Sequence, residues 1–128
     1  MQPTPTIVFV CEHGAAKSII AAAYYNKLAQ ERKLETRAIA RGTNPDPELS
    51  PKTITGLRTD GLTPTESIPQ KLSVADIEST QIIVTFCELP EEYQNKVQTE
   101  KWEDVPPVSE NYEKARDAIL EKLNQLMK

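Results

Sequence analysis

Apolar positions along this chain come in short continuous runs, separated by longer stretches in which they recur every third or fourth residue. Thr6 to Val10 (TIVFV) is an unbroken β-branched and aromatic run closed by a small-residue loop, which predicts a short buried strand. From Lys17 to about Arg32 the pattern changes. Ile20, Ala23, Tyr24 and Leu28 share one helical face there, and the alanines add helix propensity. Thr36 to Ala40 then predicts a second strand. Strand, helix and strand in that order form a βαβ unit, which implies a parallel sheet.

Further along, Gly42 to Leu49 (GTNPDPEL) is turn-rich, and Ser50-Pro51 offers an N-cap and first-turn pair for a helix that Gly61, after Asp60, would stop. Ser73-Val74-Ala75-Asp76 resembles a capping box and opens a short helical turn. Gln81 to Phe86 (QIIVTF) predicts the next buried strand, with Cys87 at its end. Beyond a polar segment and the Pro106-Pro107 break, Ser109 is placed to cap a last helix whose Tyr112, Ala115, Ile119 and Leu123 make one apolar stripe. No repeat, linker or boundary interrupts the sequence. One α/β domain spanning residues 1–128 is expected, with a twisted parallel sheet of about four strands flanked by helices.

Composition narrows the chemistry. A chain of 128 residues buries roughly two-thirds of its unfolded surface in a single core. Its 15 Lys and Arg against 19 Asp and Glu, with no basic block, argue against a nucleic-acid partner. The opening Met1-Gln2-Pro3-Thr4-Pro5 has no cationic leader pattern, and the longest apolar runs are far too short to span a bilayer, so a cytoplasmic protein without membrane association is expected. Two cysteines do not make a disulfide scaffold, and one histidine leaves a zinc site without ligands, so no metal is expected. Carboxylates such as Glu91, Glu92 and Glu121 read as solvated faces.

The chain's only histidine and one of its two cysteines fall together in Val10-Cys11-Glu12-His13-Gly14-Ala15-Ala16-Lys17-Ser18, between the first strand and the first helix. A loop of small residues in that position aims backbone N–H groups and the positive end of the helix dipole at one point, which attracts an oxyanion. Residues Glu12, His13, Gly14, Ala15, Ala16 and Lys17 would form that cradle. Cys11 opens the loop, and its sulfur shares a field that favours thiolate over thiol. Ser18 can donate its hydroxyl to that thiolate, and Lys17 can supply a fixed positive charge. A lone cysteine at a strand end is more often a small buried hydrophobe, and Lys17 or Ser18 taken singly would be an ordinary helix-start residue. Their joint spacing carries the catalytic reading. His13 is open between a loop residue bonded to backbone and a group that tunes Cys11 or contacts the anion.

These residues resemble the low-molecular-weight protein tyrosine phosphatases and the arsenate reductases that share their fold. In that family a strand, a Cys-x5-Arg-Ser loop and a helix follow one another, as Cys11-x5-Lys17-Ser18 does here. Ala40-Arg41-Gly42 is similar to the family's Ser-Ala-Gly segment, and Val84-Thr85-Phe86-Cys87 to the Val-Thr-Leu-Cys of the reductases. Trp102, Pro107 and Arg116-Asp117 match landmarks of the C-terminal part. The resemblance implies a three-layer α/β/α fold with a four-stranded parallel sheet, a cysteine nucleophile, and a small oxyanion or phosphomonoester as substrate.

Three departures bear on activity. Lys17 replaces the family's arginine, keeping the charge and losing the fork that grips an oxyanion bidentately. His13-Gly14 replaces Gly-Asn, removing the asparagine that props the loop. Pro106 stands where the family has its general-acid aspartate, so Asp104 or Glu103 would have to substitute. Phosphomonoester hydrolysis suffers more from these losses than arsenate reduction, which asks mainly for a thiolate, an oxyanion cradle and a second thiol. Cys87 would supply that thiol if the parallel sheet brings both strand ends to one edge; the alternative is a cysteine with no redox role. With no cysteine between Glu88 and Gln98, a three-cysteine relay inside the chain is excluded. Recycling would then need an external reductant such as glutathione, mycothiol or thioredoxin and no bound cofactor. The expected activity is arsenate-reductase-like, with a phosphatase or a catalytically degenerate oxyanion-binding protein as the alternatives.

Overall fold

The computed structural model describes residues 6–127; the opening segment, read above as lacking a leader, lies outside them. Strand β1 (Thr6–Cys11) is followed by helix α1 (Lys17–Glu31), strand β2 (Arg37–Gly42), helix α2 (Pro51–Thr59), helix α3 (Val74–Ser79), strand β3 (Ile82–Thr85), strand β4 (Thr99–Lys101) and helix α4 (Tyr112–Leu126). The four strands pair in parallel in the order β2-β1-β3-β4. Because β1 leads outward to β2 on one side and borders β3 on the other, the order reverses beside β1. Open α/β sheets place their ligand crevice at the carboxyl ends of the strands at such a point.

Both sheet faces are covered, which is why β1 and β3 read as continuous apolar runs. One face carries Phe9, Val84, the alanine-rich α1, Leu57 of α2 and Ala115, Ile119 and Leu123 of α4; the other packs Val8, Val10 and Ile83 against Leu72, Ile77, Leu89 and Tyr93. The architecture is therefore the three-layer α/β/α sandwich.

Helix α1 departs from the one-stripe expectation. Ser18 through Tyr25 are all buried, and so is Ala29, whereas Leu28 is only partly covered. The alanines let the helix lie close to the sheet while α4 covers its outer side. Ser50 caps α2 as expected, accepting from the Thr53 N–H, and the Ser73–Asp76 capping box is formed in both directions. Asn111, not Ser109, caps α4 by accepting from the Lys114 N–H. This shift frees Ser109 to face the crevice. Strand β4 falls inside the polar segment: a three-residue edge strand with sequence TEK carries no apolar period to reveal it.

Candidate functional site

Cys11 ends β1 opposite Gly42 of β2, and its neighbour Val10 lies opposite Thr85 of β3. Residues 12–16 then turn the chain into α1. Segment 43–50 binds the outside of this turn: Thr43, Asn44, Asp46 and Ser50 donate their N–H groups to the carbonyls of Cys11, Glu12, His13 and Ala15 at 3.2, 2.7, 3.0 and 3.0 Å. The carbonyls are thus taken up on one side. The N–H groups of residues 12–18 donate to no acceptor among the described residues. Ala16, at the N-cap of α1, has no side chain to satisfy the first turn. Open donors at the start of a helix, where the dipole is positive, meet the physical requirement for holding an oxyanion.

Two glycines permit this shape. Gly14 sits at φ +61°, in the left-handed region, and a Cβ at Gly42 would lie 2.7 Å from the Gly14 nitrogen. Both neighbours are backbone, so neither can step aside.

The Cys11 Sγ lies 3.0 Å from the Ser18 Oγ, and both residues are buried. When Cys11 is ionised, the Ser18 hydroxyl can only donate to it, which stabilises the thiolate. Above the loop is a hollow of about 350 Å³ lined by Cys11, Lys17, Cys87 and the segment Pro107–Ser109. No ion pair or hydrogen bond engages the Lys17 ammonium among the described residues, so its charge is available to an anion there.

His13 faces the rim. Its Nδ1 lies 3.2 Å from Asp46 Oδ1 and its Nε2 lies 3.6 Å from Glu12 Oε2, with all three side chains about half exposed. Among the described residues the imidazole makes no bond to backbone and no contact with Cys11; it joins the loop to segment 43–50 and lines the hollow where an anion would enter. Asp46 escaped sequence reasoning because an Asp between two prolines in GTNPDPEL reads simply as a turn residue.

Cys87 follows β3 and lines the same hollow as Cys11. Its N–H donates to Thr85 Oγ1 at 3.2 Å, and that hydroxyl donates to the Cys87 carbonyl at 2.7 Å, fixing the strand end. Burial pushes the Cys87 thiol up. Hydrogen bonds from Thr85 and Thr43 oppose that shift, and the nearby Cys11 and Glu12 add to it. Phe86, beside it, stacks edge-on against Trp102 at 5.8 Å, and Trp102 also packs on Phe9 at 5.8 Å. This aromatic trio seats the chain after β4 beside the crevice.

Asp104, expected to replace the missing general acid, is not brought to the site. It forms an ion pair with Lys122 of α4 at 2.9 Å and is largely exposed, and that hydrogen bond holds its carboxyl below the usual range. Such a group stays ionised, the reverse of what proton donation needs. The reason is packing: Trp102, Val105 and Val108 turn inward, which sends Glu103 and Asp104 to solvent. Pro107, Val108 and Ser109 reach the hollow, and none carries a carboxyl.

The model of the low molecular weight phosphotyrosine protein phosphatase family matches residues 6–128. The chain belongs to that family. No curated protein matches the sequence. Among solved structures, YfkJ from Bacillus subtilis superposes with a TM-score of 0.84 at 19% identity, covering 98% of this chain and 94% of that one. A low molecular weight protein tyrosine phosphatase from T. tengcongensis gives 0.78 at 17% identity, with 96% and 97% covered. A thioredoxin-dependent arsenate reductase from Corynebacterium glutamicum gives 0.69 at 24% identity, with 99% and 65% covered. At these identities the likeness establishes the fold. Phosphatases and arsenate reductases both stand among the neighbours.

Proposed function

We propose that this family member is a thiol enzyme acting on a small oxyanion in the manner of an arsenate reductase. The observation that carries this reading is the sharing of one hollow by Cys11, the open N–H donors and Cys87, with Asp104 turned away. The Cys11 thiolate attacks arsenic, forming an S–As bond while an arsenate hydroxyl departs and takes a proton from solvent to leave as water. A Cys87 thiolate then attacks the Cys11 sulfur. The S–As bond breaks with its electron pair on arsenic, which falls from As(V) to As(III), and a Cys11–Cys87 disulfide remains. An external dithiol of the thioredoxin class reduces it, since the chain has only two cysteines. The role of Lys17 is a point charge against the bound oxyanion, and Ser18 stabilises the thiolate whenever it is regenerated.

The family model and the T. tengcongensis neighbour favour a second reading, hydrolysis of phosphomonoesters through a cysteinyl-phosphate. A poor leaving group would then lack its acid. Assaying arsenate with several thiol donors beside an activated aryl phosphate separates the two. Arsenite formation that outpaces phosphate release supports the reductase; efficient aryl phosphate turnover without thiol-dependent arsenite formation supports the phosphatase.

A further inference from the structure

The rim of the oxyanion loop carries the wrong charge for its task. Glu12 and Asp46 line the hollow together with Lys17, so with a neutral imidazole the two carboxylates outnumber the one fixed cation. The rim side chains would then set a net negative charge against an incoming dianion, opposing the open N–H donors and the helix dipole beneath them. His13 sits between the two carboxylates with one ring nitrogen toward each, at 3.2 Å from Asp46 and 3.6 Å from Glu12, and histidine is the side chain suited to carrying a switchable positive charge. Two carboxylates at these distances favour the charged ring through their negative charge. The other titratable groups facing the hollow are Cys11, from the end of β1, and Cys87, from the end of β3. The Asp46 N–H also donates to the His13 carbonyl at 3.0 Å, so backbone and side chain hold the pair in register.

We propose that His13 is an anion-binding residue of this rim that acts through its charge: it enters the anion-bound state as the imidazolium, beside Asp46 and Glu12, and the site takes up a proton with each oxyanion it binds. This rests on reading residues 11–18 as an oxyanion cradle. Neutral His13 leaves the carboxylates to repel the anion; charged His13 cancels one of them and adds its field to that of Lys17. Oxyanion capture is thereby favoured as pH falls through the neutral range.

Sulfate is the probe of choice, because it stays a dianion throughout that range, and a Cys11→Ser background removes ionisation of the nucleophile. Calorimetric titration between about pH 5 and 8, in buffers of different ionisation enthalpy, counts the protons taken up. The expected result is proton uptake near neutrality and affinity about tenfold weaker at the upper pH. Adding His13→Gln should remove the uptake and hold affinity at the upper-pH level throughout. Adding Asp46→Asn should tighten sulfate binding at the upper pH, opposite to what loss of a purely structural strut would do. Unchanged proton uptake in the His13→Gln protein, or weaker binding at every pH in the Asp46→Asn protein, overturns the proposal. A folded Cys11→Ser protein that binds no sulfate at any pH overturns the cradle reading, and the proposal with it.

Discussion

Two polar clusters lie against α1, one at its N-terminus and one beside its middle, and they differ in what their hydrogen bonds leave over. At the second cluster, the Asp60 carboxylate at the end of α2 accepts from the Tyr24 hydroxyl at 2.5 Å, the Tyr112 hydroxyl at 2.9 Å and the Arg116 guanidinium at 3.2 and 3.4 Å. Arg116 also lies 5.8 Å from the centre of the Tyr112 ring. A hollow of about 420 Å³, larger than the one over Cys11, opens there. Yet each of these side-chain groups already has its partner, so the cluster ties α1, α2 and α4 together. At the loop the accounting is reversed: the carbonyls of Cys11, Glu12, His13, Ala15 and Ala16 are paired, and the donors of residues 12–18 have no acceptor among the described residues. Cavity size does not separate the two. Unspent hydrogen-bonding capacity does.

The largest expected effect falls on the loop. Lys17→Ala removes the free cation of the hollow and should weaken phosphate or arsenate binding by about ten- to a hundredfold, with folding stability nearly unchanged. Gly42→Ala should abolish anion binding as well, because its Cβ would meet the Gly14 backbone. Phosphate titration followed by amide chemical shifts reads both. If Lys17→Ala binds as the parent does, the lysine has no share in the cradle.

Asp60→Asn should have the opposite profile: stability lower by about 1–3 kcal/mol in denaturant unfolding and oxyanion affinity intact. Here pH gives a second handle. Burial opposes the Asp60 charge, but hydrogen bonds from Tyr24 and Tyr112 and the nearby Arg116 outweigh it and hold the carboxyl below its usual range. A carboxyl depressed on folding contributes stability that is present above its unfolded pKa, about 3.9, and is lost as pH falls through the folded value. The parent should therefore lose more stability on acidification than Asp60→Asn. Equal acid sensitivity in both proteins would mean that the cluster does not stabilise through this charge.

The smallest expected effect is at Asp104. Asp104→Ala should change turnover less than about twofold, because an exposed pair with Lys122 contributes little. A loss of a hundredfold or more, at the scale of a general acid, would return the residue to the site.

Much of this contrast was legible in the sequence. TIVFV, the Ser50-Pro51 start, the Ser73 capping box and the Cys11–Ser18 spacing each follow from local chemistry, so strands β1 and β3, helices α2 and α3 and the loop were readable from the residues alone. What was not legible depends on partners distant in sequence. Strand β4 exists because Thr99–Lys101 meets β3, the burial of Ser18 through Tyr25 because α4 packs beside α1, and the His13–Asp46 contact because segment 43–50 folds back on the loop. Asp104 was misplaced for the same reason: its orientation is set by where Trp102 and Val108 find their core contacts.

The most direct test of the proposed chemistry is a single turnover followed by mass spectrometry. Reduced protein is mixed with one equivalent of arsenate, with no external reductant, and quenched with an alkylating agent. The account predicts arsenite release matched by loss of two thiols, with a Cys11–Cys87 disulfide recovered in the digest. Raised pH should hasten its formation, since burial keeps the Cys87 thiol protonated at neutrality. Cys87→Ser should stop at the Cys11 adduct and release no arsenite. Arsenite formed with both thiols still free, or formed equally by Cys11→Ser, would contradict the account.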